Sequence, residues 1–255
     1  MFNELRHIME AQLRAGNNFA IAQVIGRIAP SSSKVGDKAI ILPSGKLIGW
    51  IGGGCVRGIV IKEALAVIAN KKHCKLRIAP EGSSKENSDF KEYIMSCQSK
   101  GTVEVLIESV IAQPEIIIVG KSNIGRKLAR IATEADFKVS VLSNDLDPEM
   151  FPSAHHLSEA VDFSPFNNIK NSYIVVTTQG EDDEASVLKA LQTAAQFVGF
   201  VASRKKSVDI QSYLSEHGIE KERIAQLRCP IGFDINAKLA SEVAISILAE
   251  IINHY

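Results

Sequence analysis

The chain has 255 residues, 45% of them hydrophobic, with 29 lysines and arginines against 29 aspartates and glutamates. That length allows one large core or two ordinary ones, and a formal net charge of +0 leaves no global field to hold the protein on nucleic acid or anionic lipid. The N-terminal stretch carries charges through its first turns and lacks an apolar signal core. The longest apolar runs fall short of the roughly 20 residues needed to cross a bilayer. A cytoplasmic location is expected, with no membrane and no nucleic acid as partner.

Residues 2–15 place Leu5, Ile8, Met9 and Leu13 at helical spacing, which predicts an amphipathic helix. Residues 20–28 are rich in branched side chains and read as a strand, followed by a loop at Pro30, Ser31, Ser32 and Ser33. Residues 39–42 form a short strand, Pro43 to Lys46 a turn, and residues 47–51 the returning strand, implying a small sheet built from hairpins. Gly52, Gly53, Gly54 and Cys55 then lead into residues 56–72, where Val56, Ile59, Val60, Ala64, Val67 and Ile68 define one buried helical face. Residues 75–78 and 102–110 are further strands, with an exposed polar loop at 81–89. Gln113-Pro114 breaks the pattern and sets the expected boundary between domains 1–112 and 113–255.

Beyond the boundary the pattern alternates as a parallel sheet with crossover helices requires. Strands are expected at 116–119, 138–142, 172–177 and 197–201, and helices at 124–135 and 186–195. The segment 240–252 is apolar on more than one face and should dock on the sheet. The expected fold class is α/β, a C-terminal Rossmann-type parallel sheet with a smaller N-terminal α+β domain.

The C-terminal half carries the clearest site. A buried strand runs directly into Gly120-Lys121-Ser122-Asn123-Ile124-Gly125 and a helix. That is the context in which a G-x-G-x-x-G turn binds a nucleotide. Gly120 allows the tight turn and Gly125 lets the helix pack on the strand. Ser122 stands in place of the second glycine; its Cβ narrows the approach to a pyrophosphate, while its hydroxyl can donate to a phosphate. At the end of the second strand Ser143 and Asn144 come first and the acidic Asp145 follows, so the usual ribose contact is displaced. NAD(P) or another phosphate-bearing ligand is the expected occupant, and a structural turn with no ligand is the alternative.

In the N-terminal half, Gly52, Gly53 and Gly54 leave backbone N–H groups unshielded before a helix, an anion-binding arrangement, with Cys55 where the helix dipole favours a thiolate. A plain tight strand-to-helix turn fits the same spacing. Four cysteines without a CxxC pair and six unclustered histidines argue against structural zinc. His155 and His156 precede a helix-like segment and read as surface residues.

The blocks GWIGGGC (49–55), GDK (36–38), MSCQSKGTVEVLIE (95–108), GKSNIG (120–125), FVASRKK (200–206) and CPIGFDINAKLASEVAISILAEI (229–251) together resemble the xanthine dehydrogenase accessory family, XdhC/CoxI. The resemblance covers nearly the whole chain in order. It implies a non-catalytic maturation factor, a chaperone that binds molybdenum cofactor (a molybdopterin) across an interdomain cleft. The cofactor would be protected during exchange of an oxo for a sulfido ligand and handed to a molybdenum hydroxylase apoenzyme; a cysteine desulfurase as sulfur source and a homodimer belong to the same expectation. A soft thiolate suits molybdenum and glycine turns suit the pterin phosphate. Cys55 and Cys97 are therefore the expected metal contacts, while Cys74 and Cys229 read as small buried side chains. The chain departs from the family pattern at Arg57, where an acid is common, at Ser33-Lys34 in place of proline-arginine, at Gln179 in place of a histidine, and at Leu239-Ala240 in place of a capping threonine-proline pair. A NAD(P)-dependent oxidoreductase or a nucleotide-sensing module is the alternative function.

Overall fold

The computed structural model describes residues 2–83, 89–94, 101–166, 169–180 and 182–254. The chain divides into two compact units, Met1–Ala112 and Gln113–Tyr255.

The first unit runs α1 (Phe2–Arg14), β1 (Phe19–Ile28), β2 (Lys38–Ile41), β3 (Leu47–Gly49), α2 (Gly54–Asn70), β4 (Cys74–Ala79), β5 (Phe90–Ile94) and β6 (Thr102–Val110). Its six-stranded sheet has the order β3-β2-β1-β6-β4-β5. The first three strands are the expected hairpins, but the long central pairing is between β1 and β6, far apart in the chain, and β5 lies parallel to β4. The hairpin expectation is therefore corrected to a mixed sheet. Alternation along β1, β4 and β6 sends Ala20, Ala22, Val24, Leu76, Ile78, Val103, Val105 and Ile107 to one face, where Val56, Val60, Ala64 and Val67 of α2 cover them. On the other face α1 contributes Leu5, Ile8 and Met9 to a smaller cluster with Phe19 and Ile40.

The second unit runs β7 (Glu115–Val119), α3 (Asn123–Glu134), β8 (Lys138–Leu142), β9 (His156–Ser158), β10 (Ser172–Val176), α4 (Asp183–Gln192), β11 (Phe197–Phe200), α5 (Arg204–Glu216), α6 (Lys221–Ile224), β12 (Leu227–Arg228) and α7 (Ala240–His254). All pairings are parallel, in the order β12-β11-β10-β7-β8-β9. This is the doubly wound Rossmann order, with the direction of winding reversing between β7 and β10. Leu128, Ala129 and Ala132 of α3 and Ala244, Ile247 and Ile251 of α7 pack on one face. Val187, Leu191, Ile210, Leu214 and Ile224 of α4, α5 and α6 pack on the other.

His156 opens a strand instead of preceding a helix, and His155 accepts a hydrogen bond at Nδ1 from the Val139 N–H (3.1 Å), which ties β9 to the sheet. The weakened cap expected at Leu239-Ala240 is also corrected. The Glu242 carboxylate accepts from the N–H groups of Lys238 (2.7 Å) and Leu239 (2.9 Å), the side-chain half of a capping box.

Candidate functional site

In the first unit, Gly52 is fixed by packing. Its φ is +132°, and a Cβ there would lie 2.4 Å from the Ser33 hydroxyl oxygen. Ser33 is buried and donates to the Ile51 carbonyl at 2.9 Å, so the serine loop is fastened directly beneath the glycine turn. Arg27 steadies the same loop by donating to the carbonyls of Ser31 and Ser33. Beyond Gly52 the constraint disappears. Among the described residues, a Cβ at Gly53 would meet only the Ser32 hydroxyl at 3.8 Å, and one at Gly54 would meet nothing within 4 Å outside its own helix. Helix α2 begins here with Gly53 as N-cap, which supplies no side-chain cap hydrogen bond, and the positive end of the helix dipole lies at this turn. Cys55, half-buried, and exposed Arg57 lie in this first turn. Cys97 falls outside the described residues. A Cβ at Gly101, which follows that segment, would lie 1.9 Å from the Pro30 carbonyl oxygen, so the start of β6 is pressed against the serine loop.

In the second unit a cleft of about 380 Å³ opens at the C-terminal ends of the strands, at the winding reversal, where Rossmann sheets bind ligands. Gly120, Lys121, Ser122, Ser143, Asp145 and Thr178 are among the residues lining it. Gly120 has φ +103°, and a Cβ would lie 2.8 Å from the Thr178 nitrogen, so β7 turns into α3 against the end of β10. Ser122 is the N-cap of α3, its hydroxyl oxygen accepting from the Gly125 N–H at 3.1 Å. Gly125 itself does not line the cleft. A Cβ there would lie 2.5 Å from Thr177 Oγ1, which fits the helix-on-strand packing expected of this glycine.

Two features were missed from sequence. Lys121 donates to the carbonyls of Asn144 (3.3 Å) and Asp145 (3.2 Å), linking the turn after β7 to the loop after β8. Motif spacing singles out the glycines and the displaced acid, and gives no signal for the lysine between them. Asp183, buried at the start of α4, accepts from the Thr178 hydroxyl, from the Gly180 N–H (3.1 Å) and from Lys206 Nζ. The hydrogen bond to Asp183 holds the Lys206 ammonium above its ordinary pKa, against a smaller opposing effect of burial. A pairing across 23 residues has no local signal.

A further groove of about 580 Å³ in the first unit is lined by Glu63, Cys74, Lys72, His73 and Lys91. Burial pushes the Glu63 carboxyl up, but hydrogen bonds from Lys91 and Tyr93 and the Lys91 charge together hold it below its usual value. Cys74 is pushed up by burial and by the Glu63 charge, and Cys229 by burial, so both stay protonated thiols. Among the described residues no group of three or more His, Cys, Asp or Glu side chains is disposed to hold a metal ion, and no helix is long and apolar enough to cross a membrane.

Residues 116–251 match the XdhC Rossmann domain, and residues 12–78 match the XdhC and CoxI family. The chain is 29% identical over 248 residues to the Escherichia coli (strain K12) protein named uncharacterized protein YqeB, covering 92% of this chain but 43% of that protein. A solved structure described as a xanthine dehydrogenase from Bacillus halodurans superposes with a TM-score of 0.47 and 16% identity, covering 97% of this chain and 94% of that one. With a family match spanning more than half its length, the chain belongs to the XdhC and CoxI family.

Proposed function

We propose that the protein is an accessory factor for a molybdenum hydroxylase of the xanthine dehydrogenase or CO dehydrogenase type. In this reading it holds molybdenum cofactor at the Gly52–Cys55 turn and assists its sulfuration and insertion. The observation that supports this most is the open space above Gly54. Packing among the described residues explains the glycine at 52 but not at 54, where a Cβ would meet none of their atoms within 4 Å outside its own helix. A glycine that no described neighbour demands, one residue after a glycine N-cap, suits a ligand that comes close to the backbone.

The donor set fits the cofactor. The N-terminal first turn of α2 and the Arg57 guanidinium would hold the pterin phosphate, and Cys55 would offer a soft sulfur toward molybdenum. When bound, the cofactor supplies the metal centre at which oxo is replaced by sulfido. The chain's own part is to bind the phosphate, orient the group and present the Cys55 thiol; Cys97 is a candidate for the same role. The hydroxylase apoenzyme and a cysteine desulfurase are the proposed partners, and a homodimer the proposed assembly.

Anaerobic calorimetry with purified cofactor tests the reading, using wild type, Cys55→Ala and Cys97→Ala. Binding that is lost in Cys55→Ala supports it. No binding by wild type, or affinity indifferent to both substitutions, removes it.

A further inference from the structure

The cleft of the second unit carries a chemistry that the accessory role does not use. In dinucleotide-binding folds, an acid about 20 residues past the glycine turn, at the end of the second strand, accepts hydrogen bonds from the adenosine ribose hydroxyls; a cation in that neighbourhood reads a 2′-phosphate instead. Here β8 ends at Leu142 and the next residue is Ser143, buried, with a hydroxyl in place of a carboxylate. Asp145 comes two residues later, at φ +52° on the exposed loop. The ammonium group of Lys121 reaches across from the glycine turn to this spot, 3.3 and 3.2 Å from the Asn144 and Asp145 carbonyl oxygens. An ammonium has three N–H donors, and two are engaged with these carbonyls.

We infer that this cleft binds an adenine nucleotide bearing a 2′-phosphate, with Lys121 as the residue that distinguishes it from the unphosphorylated nucleotide. Lys121 is the one cation lining the cleft among the described residues, and the carboxylates of Asp145 and Asp182 line it as well. Lys121 is exposed, and the Asn144 and Asp145 carbonyls draw its ammonium to the second-strand end. The cleft's 380 Å³ lies within the usual range for a small-ligand site. Ser122 is compatible with this. It caps α3 through Gly125 and so withdraws one helix N–H from a pyrophosphate, shifting the weight of recognition to the adenosine end.

The inference concerns the second unit alone and stands or falls separately from the cofactor reading. Calorimetry on the whole chain would compare 2′,5′-ADP with 5′-AMP, and NADP with NAD, for wild type, Lys121→Met, Lys121→Arg and Asp145→Asn. A charge-assisted hydrogen bond gives a preference of about tenfold for each 2′-phosphorylated member. Lys121→Met should bring the ratio to near one, Lys121→Arg should keep it, and Asp145→Asn should raise it by removing a repelling carboxylate. The preference should shrink as salt is raised. Equal affinities in wild type, a ratio unmoved by Lys121→Met, or no binding of any of the four nucleotides would overturn the inference.

Discussion

The hydroxyl of Ser33 donates to the Ile51 carbonyl at 2.9 Å and occupies the space that a side chain at position 52 would need. One buried serine thus fixes both the carbonyl before the glycine turn and the identity of its first glycine. Ser33→Ala should leave the Ile51 carbonyl without this donor and cost about 1–3 kcal/mol. Gly52→Ala, with its φ of +132° and the 2.4 Å clash, should cost as much or more. Both are read as lowered midpoints in denaturant unfolding.

Gly125→Ala tests the packing role assigned to the third glycine of the Rossmann turn. The added methyl would lie 2.5 Å from Thr177 Oγ1, pushing α3 off β10 at a cost of about 1–3 kcal/mol. Thermal unfolding should report the loss even when no nucleotide is present.

Glu63 predicts a pH dependence. Its folded-state pKa lies below the ordinary value, the hydrogen bonds from Lys91 and Tyr93 outweighing the upward push of burial. A lowered carboxyl contributes stability that is present above the unfolded value of about 4.3 and lost as pH falls through the lower folded value. Glu63→Gln should therefore be destabilised by about 1–3 kcal/mol at neutral pH, and its deficit against wild type should vanish in acid. Denaturant midpoints measured from neutral pH down into the acid range check this.

Glu242 predicts the same sign at a different place. Backbone N–H groups of Lys238 and Leu239 hold its carboxyl below the usual range. Glu242→Ala should lower Tm at neutral pH by loosening the start of α7, and the difference from wild type should fade once the carboxyl is protonated.

The Rossmann half was legible because its signals are local. The run of buried residues 116–119 ends on a glycine turn, and each crossover helix that was recognised has an apolar face. Helix α5 escaped because only Ser207, Ile210 and Leu214 of its 13 residues are buried, with Val208 facing solvent. Strand β5 escaped because it is an edge strand whose pattern, Phe-Lys-Glu-Tyr-Ile, mixes charge with aromatics and whose Lys91 and Tyr93 serve Glu63 on α2. Helix α7 was legible as a docked apolar segment, whereas its cap comes from Glu242, three residues past Leu239, and not from the residues at the helix start. At the sites the limit was similar. Gly52 to Cys55 and the Gly120 turn could be read from spacing, whereas the reach of Lys121 to the Asn144 and Asp145 carbonyls and the pairing of Asp183 with Lys206 depend on segments more than 20 residues apart meeting in the fold.

Titration of molybdenum cofactor into the anaerobic whole chain, wild type against Gly54→Ala, tests the central claim most directly. Outside its own helix and chain neighbours, no atom of the described residues lies within 4 Å of the added methyl, so folding should be unimpaired and the unfolding midpoint unchanged or slightly raised. If the cofactor's phosphate rests on this turn, the methyl stands where the ligand must come, and affinity should drop by about tenfold or more. Wild-type affinity in a normally folded Gly54→Ala would contradict the assignment of the cofactor to the Gly52–Cys55 turn.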